Sequence, residues 1–268
     1  MLNRLKTIVR NQLPSRLQVP LRQLYLRVRG YSEPEMALLP FLVSDGVRVA
    51  DIGANRGHYA HRLWKLGAHV EMFEPNPHCS ALLEAWAEGK QRLAVHTVAL
   101  SSGEGTAQLH VPVDSHGIEH DASASLGGGL TGNCREIEVE LRTLDSFDFA
   151  DLEFVKIDAE GHEDSVITGA KNTLSSSRPA ILVEIEQRHH PERSILEVFD
   201  EIARLGYTGF FLSDGTLLPI ANFRVDLDQA ADAFTDGRRP YRNNFLFLAR
   251  DRLAAGEYVG LAARWMKR

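Results

Sequence analysis

Val49-Ala50-Asp51-Ile52-Gly53-Ala54-Asn55-Arg56-Gly57 carries an apolar strand straight into a glycine-bearing turn. A helix follows, opening near His58 and presenting Tyr59, Leu63 and Leu66 on one face. Glycines let backbone N–H groups come close to a ligand, and the helix N-terminus adds positive potential. In an open α/β sheet, cofactors sit in such a crevice at the strand ends.

The next strand ends in Met72-Phe73-Glu74-Pro75-Asn76-Pro77, which puts a carboxylate where it can accept both hydroxyls of a ribose. NAD and S-adenosylmethionine share that ribose, so Glu74 does not separate them. Asp51 does help. A carboxylate beside the turn suits an ammonium group, and its repulsion of two phosphates makes a dinucleotide the costlier ligand.

Outward from the turn the chain alternates short apolar strands with helical stretches. Strands are predicted at 47–52, 70–73, 93–100, 106–113, 137–141, 154–157, 181–185, 207–212 and 244–249, and helices near 58–66, 78–89, 163–175 and 192–205. The alternation implies βαβ units and a mostly parallel, doubly wound α/β sheet. Asp114–Cys134, with Gly127-Gly128-Gly129, has no helix and reads as an insertion over the mouth of the sheet.

The whole set of motifs resembles the FkbM-type methyltransferases. Asp51–Gly57 resembles the family's first motif and Phe73–Pro77 its second, while Val98-Ala99-Leu100-Ser101 with Gly105 is similar to its third. Thr143-Leu144-Asp145 leads into Val155-Lys156-Ile157-Asp158-Ala159-Glu160-Gly161-His162-Glu163, similar to the family's most diagnostic signature, and Gly169-Ala170 and Pro179–Glu184 complete the order. The resemblance covers about residues 47–186. It implies a class I methyltransferase fold with a seven-stranded sheet, S-adenosylmethionine as cofactor, and a small-molecule or glycan acceptor methylated on oxygen. Carried over by position, Asp51, Gly53, Asn55 and Gly57 hold the methionine part, Glu74 with Asn76 beside it the ribose, and Ala99 the adenine. His162 departs from the small or apolar residue expected between Gly161 and Glu163.

Methyl transfer to an alcohol needs a base for its proton. Lys156 and Asp158 share one face of their strand, Asp158 lies at its C-terminal end, and Glu160 lies just beyond. These three are the candidate catalytic residues, Asp158 being read as base, ligand of the methionine amine, metal ligand, or ion-pair partner of Lys156. Glu163 is read as a helix-dipole residue and His189-His190 as a solvated loop. Glu184 and Glu186 flank the following strand, but the spacing closes no His/Cys constellation and no metal ligand is assigned. A binding module that holds S-adenosylmethionine without catalysis is the first alternative function, and an NAD-dependent oxidoreductase the second.

Composition sets the remaining bounds. With 268 residues, 44% hydrophobic and 25% charged, the chain can bury a sizeable core. A net charge of −6 gives no reason to expect a nucleic-acid partner. Its distribution is uneven: residues 1–30 hold seven basic side chains and no acid, so all 36 acidic residues follow them. A basic leader over residues 1–35 is therefore expected ahead of a methyltransferase domain over 36–268. Leu2, Leu5, Ile8, Val9 and Leu21, Leu24, Tyr25, Val28 repeat at helical spacing, with Pro14 and Pro20 read as separators. The leader's apolar faces must be covered by the domain, by a second subunit of a homodimer, or by peripheral contact with a membrane surface. Two cysteines, no apolar run of spanning length and no secretory h-region fit a cytoplasmic protein without a disulfide framework.

Overall fold

A computed structural model describes residues 13–126, 133–231 and 240–266. The apolar strands assemble an eight-stranded sheet of β1 (Arg48–Ile52), β2 (His69–Phe73), β3 (Leu93–His96), β7 (Leu152–Ile157), β8 (Ala180–Glu184), β9 (Tyr207–Ser213), β10 (Thr216–Pro219) and β11 (Asn244–Ala249). Their order is β10-β9-β11-β8-β7-β1-β2-β3. β3, β2, β1, β7 and β8 run parallel, while β11 is antiparallel to both β8 and β9. The central strands read as near-continuous apolar runs because both faces are covered. Val49 and Ala50 of β1 and Phe154 and Val155 of β7 are completely buried.

The chain winds outward from β1 through β2 to β3, then returns to the other side of β1 with β7 and β8. The strand order therefore reverses between β1 and β7, the place where doubly wound sheets bind ligands. Register puts Asp51 level with Met72 and Lys156, and Ile52 level with Phe73 and Ile157. Gly53, Glu74 and Asp158, each one residue further on, emerge together at the carboxyl edge.

Helices α2 (His58–Lys65) and α3 (Pro77–Ala87) follow β1 and β2; α4 (Glu163–Thr168) and α5 (Lys171–Ser177) follow β7; α6 (Ile195–Arg204) follows β8. Residues 163–175, expected as one helix, break at Gly169-Ala170. A Cβ on Gly169 would stand 2.0 Å from the Ser101 carbonyl, so the backbone there is pressed against another segment. Asp145 caps the second piece by accepting from the N–H groups of Asn172 and Thr173 at 3.0 and 2.8 Å.

Three further elements differ from expectation. The strand expected over 93–100 is two strands, since β4 (Ala99–Leu100) leaves the main sheet and joins β5 (Gly105–Pro112) and β6 (Cys134–Arg142) in a small second sheet. The main sheet has one strand more than seven because β10 folds back on β9 through Asp214-Gly215, both at positive φ as a two-residue hairpin requires. Pro20 does not end a helix. It lies inside α1 (Ser15–Val28), and the apolar set from Leu2 to Val9 lies outside the described residues.

Helix α1 packs on α2 and α3, with Val19 only 2% exposed. The left-handed Gly57 at the start of α2 makes room for this contact: a Cβ there would stand 3.2 Å from Val19 and 3.0 Å from Leu83. Leu21, Leu24, Tyr25 and Val28 stay exposed. Among the described residues no helix is long and apolar enough to cross a membrane.

If the leader helix is part of the core, Val19→Ala costs about 1–3 kcal/mol through lost packing. Urea unfolding with an unchanged m value is the measurement. A midpoint identical to wild type would show that α1 docks without contributing to stability.

Candidate functional site

The turn after β1 is fastened to both neighbouring strands. The N–H groups of Gly53 and Ala54 donate to the Phe73 carbonyl at 2.9 and 3.1 Å, and the Asp158 N–H donates to the Ile52 carbonyl at 2.9 Å. Gly53 has φ +76°, and a Cβ on it would stand 1.8 Å from the Asp158 carbonyl oxygen. No side chain fits there. The close approach opens a cavity of about 300 Å³ lined by Gly53, Asn55, Glu74, Ala99, Asp158, Glu160 and His162 among others.

Glu74 is buried, and its carboxylate accepts from the N–H groups of Asn55 at 2.6 Å and Asn76 at 2.8 Å. Burial pushes its carboxyl up to about 7 despite those two donors. Asn55 takes a left-handed backbone, φ +46°, which aims its N–H at Glu74. Asn76 caps α3 through the His78 N–H. Both asparagines then reach outward to Asp121, Asn55 to its carbonyl at 3.1 Å and Asn76 to its carboxylate at 3.4 Å, and Arg56 forms an ion pair with the same carboxylate.

Asp121 belongs to the segment expected to cover the sheet, and the described part of it does so. Ser125 exchanges backbone hydrogen bonds with His110, and its hydroxyl donates to the Glu160 carbonyl at 2.8 Å. His116 and His120 do not line the cavity: the His116 backbone N–H donates to the Asp114 carboxylate at 2.8 Å, and the His120 imidazole lies 3.6 Å from it. The three glycines 127–129 lie outside the described residues.

Behind the turn, Asp51 is 2% exposed and does not line the cavity. Its Oδ2 is buried without a hydrogen-bond partner among the described residues. Burial raises its carboxyl to about 7, against the pull of Lys156 and the Ala60 N–H. Lys156 is set further back than expected. It is 1% exposed, its ammonium donating to the Ile157 carbonyl at 3.1 Å, lying 3.9 Å from Glu184 and 5.0 Å from the centre of the Tyr59 ring. Burial works against that charge, but Asp158, Glu184, Glu33 and Asp51 outweigh it and hold the ammonium above its ordinary value. Lys156 therefore acts on the site through its field and touches nothing in the cavity.

Asp158 does line the cavity, and its carboxylate accepts no hydrogen bond from a described residue. Burial raises it, opposed by Lys156. Glu160, at φ +46°, is pushed to about 9 by burial and by Asp158 and Glu184, so it holds a proton at neutrality. His162 shares a hydrogen bond with the Ser101 hydroxyl at 2.9 Å, and burial lowers its imidazole below the ordinary value.

Two expectations are corrected. Glu163 is 2% exposed and serves the loop as well as the helix, accepting from the N–H groups of Ala159 at 3.2 Å and Gly161 at 2.9 Å. His190 is not solvated. It is buried and hydrogen-bonded to Glu163 at 3.0 Å, while His189 lies 3.5 Å from Glu160. Glu186 is held by Arg188 and Tyr241 outside the cavity, and no three His, Cys, Asp or Glu side chains converge as a metal site among the described residues.

The sequence reading missed Glu33, Arg22 and Tyr31, which form the cavity wall on the leader side. Glu33 accepts from the Tyr59 hydroxyl at 2.6 Å. It is the first acidic residue of the chain, the one signal that marked it. Helix α1 and the turn after it therefore help to build the cavity.

Residues 51–208 match the description "Methyltransferase FkbM domain", more than half of the chain. The chain belongs to the FkbM methyltransferase family. It is also similar to the 2-O-methyltransferase NoeI of Sinorhizobium fredii, at 27% identity over 48% of this chain and 60% of that one. Among solved structures it is similar to methyltransferase FkbM of Methylobacillus flagellatus at 17% identity and TM-score 0.49, covering 90% of this chain and 57% of that one. An O-methyltransferase of Thermotoga maritima matches at 11% identity and TM-score 0.43, over 80% and 64%. The chain thus spans about 60% of the length of the two relatives named first.

The glycine geometry of this family member is open to a controlled test. Gly53→Ala and Gly46→Ala both place alanine at positive φ, but the space around Gly46 is empty. Gly53→Ala is expected to cost about 1–3 kcal/mol more than Gly46→Ala, from the clash alone. Equal shifts in denaturation midpoint would mean that the Gly53–Asp158 approach is not tight.

Proposed function

We propose that this protein transfers the methyl group of S-adenosylmethionine to a hydroxyl of a carbohydrate or similar polyhydroxy acceptor. The observation that carries the reading is a buried, acid-rich crevice at the strand-order reversal, where one buried ammonium, that of Lys156, stands among more carboxyls than it can neutralise. Among the described residues Asp51 Oδ2 has no hydrogen-bond partner and Asp158 accepts no hydrogen bond, and burial pushes Glu74 up to about 7. A ligand with a sulfonium and an ammonium supplies what is missing, and a pyrophosphate does not.

The residues present fit that cofactor. Gly53 and Asn55 leave space for the methionine part with Asp51 behind them, whereas the bare face of Gly57 is taken up by Val19 and Leu83; Glu74 with Asn76 beside it faces the ribose, and Ala99 with His162 borders the adenine. S-adenosylmethionine supplies an activated methyl, so alignment of the acceptor does much of the work. Asp158, unpartnered and raised by burial, receives the hydroxyl proton as the new bond forms. Glu160, protonated, donates a hydrogen bond to a neighbouring acceptor oxygen. Lys156 keeps Asp158 ionised enough to act. Support for an oxygen acceptor comes from the 2-O-methyltransferase relative. Support for a polyhydroxy acceptor comes from Glu33, Glu160 and Glu184, which offer hydroxyl-binding oxygens around one wall.

Two measurements follow. Asp158→Asn should reduce turnover by roughly 10²–10⁴ while S-adenosylhomocysteine binds almost as in wild type. Parallel loss of affinity would make Asp158 a cofactor ligand instead of the base.

The second is pH dependence. Asp51 and Glu74 are raised to about 7 from ordinary values of 3.8 and 4.5, so the empty folded protein keeps protons that the unfolded chain has lost. Their contribution to stability is therefore present at low pH and is lost as pH rises through 7. A cationic ligand opposes that loss. Thermal stabilisation by S-adenosylmethionine should be larger at pH 8 than at pH 6, and should exceed that by S-adenosylhomocysteine, which lacks the sulfonium. A stabilisation independent of both pH and the sulfonium would count against the charge argument.

A further inference from the structure

A second cavity, of about 660 Å³, lies between α1 and α2 on the outer side of the first. The two share Leu26, Tyr31 and His58 in their walls, so the second adjoins the leader side of the proposed methyl-transfer site. Its lining combines two chemistries. Leu26 and Met36 give an apolar floor, and Leu24 and Tyr31 are 55% and 59% exposed at its rim. Arg27, Arg62 and Lys65 stand around it, and none of them has a carboxylate within 4 Å among the described residues. Elsewhere on this surface the arginines are commonly paired: Arg48, Arg92, Arg193 and Arg252 each meet an acid.

An apolar trough ringed by uncompensated cations suits a ligand that is apolar and anionic at once. Neither a free sugar nor a neutral lipid uses both features. The continuity with the first cavity makes the ligand part of the acceptor and not a separate effector. We propose that the α1–α2 cavity is an acceptor subsite for an anionic group carried on an apolar chain. The hydroxyl to be methylated enters past Tyr31 and His58 to Asp158 while the chain stays in the trough. This subsite rests on the reading of the first cavity as the methyl-transfer site. It also gives the exposed apolar face of α1 an occupant.

The test uses the full chain and titration calorimetry with three probes below their critical micelle concentrations: dodecyl phosphate, dodecyl maltoside and inorganic phosphate. S-adenosylhomocysteine is titrated in parallel. Dodecyl phosphate should bind about tenfold more tightly than either other probe, and R62E/K65E should cost it about tenfold, the size expected of two partly exposed charge contacts. Leu24→Ser should weaken the same probe, and in both variants S-adenosylhomocysteine should bind as in wild type. Equal binding of dodecyl phosphate and dodecyl maltoside, or indifference of dodecyl phosphate to R62E/K65E, overturns the proposal. So does displacement of S-adenosylhomocysteine by dodecyl phosphate, which would put the probe in the first cavity. Binding only to phosphatidylglycerol vesicles would assign the trough to a bilayer, a doubled mass lost in R62E/K65E to a second copy, and probe binding gained only on deleting residues 1–12 to that segment; each overturns it as well. Failure of S-adenosylhomocysteine to bind the wild type refutes the cofactor reading separately, since the dodecyl phosphate comparison does not depend on it.

Discussion

The carbonyl of Asp158 lies where a side chain on Gly53 would begin, and much of the site depends on that contact. It brings the ends of β1 and β7 together at the reversal of strand order. With the turn pinned there and to Phe73, Asn55 is turned left-handed and its N–H finds Glu74. The same pinning sets Gly57, whose missing side chain lets Val19 of the leader reach the core. One backbone approach thus fixes the glycine turn, the neighbouring acid and the docking of α1.

Charge is the second constraint. Glu33, Glu74, Asp158, Glu160 and Glu184 border one small cavity, with Asp51 behind it, and Lys156 is the ammonium buried among them. Burial holds several of these carboxyls far above their usual range. Folding alone does not need such a cluster, and hydrophobic residues of the same volume would be less costly to bury. Groups so perturbed gather where chemistry is done.

Much of this was legible in the chain. Val49–Ile52 and Phe154–Ile157 are apolar runs bounded by glycine or acid, and such local patterns report buried parallel strands directly. Asp214-Gly215 was an equally local hairpin signal, and it marks the strand that the reading left out. Other features were not readable because they are long-range. Nothing near Leu93–Leu100 says that the chain changes sheet after His96, because the partner of Ala99 is Leu141. Nothing near Lys156 says that its ammonium faces backwards, and nothing in the Gly/Ser/His-rich insertion marks Asp121 above its neighbours. Pro20 was misread because a proline locally signals a helix break, while the packing of Val19 on α2 and α3 that holds α1 comes from residues distant in the chain.

The insertion and the cofactor turn are held by the same hands. Asn55 and Asn76 present their backbone N–H groups to Glu74 and their side-chain amides to Asp121, and Arg56 closes the triangle. A molecule settling against Glu74 therefore meets groups that already secure the roof, and a roof that lifts takes its fastening from the floor. Glu74 and Asp121 thus share Asn55 and Asn76, and a change at either acid is felt at the other.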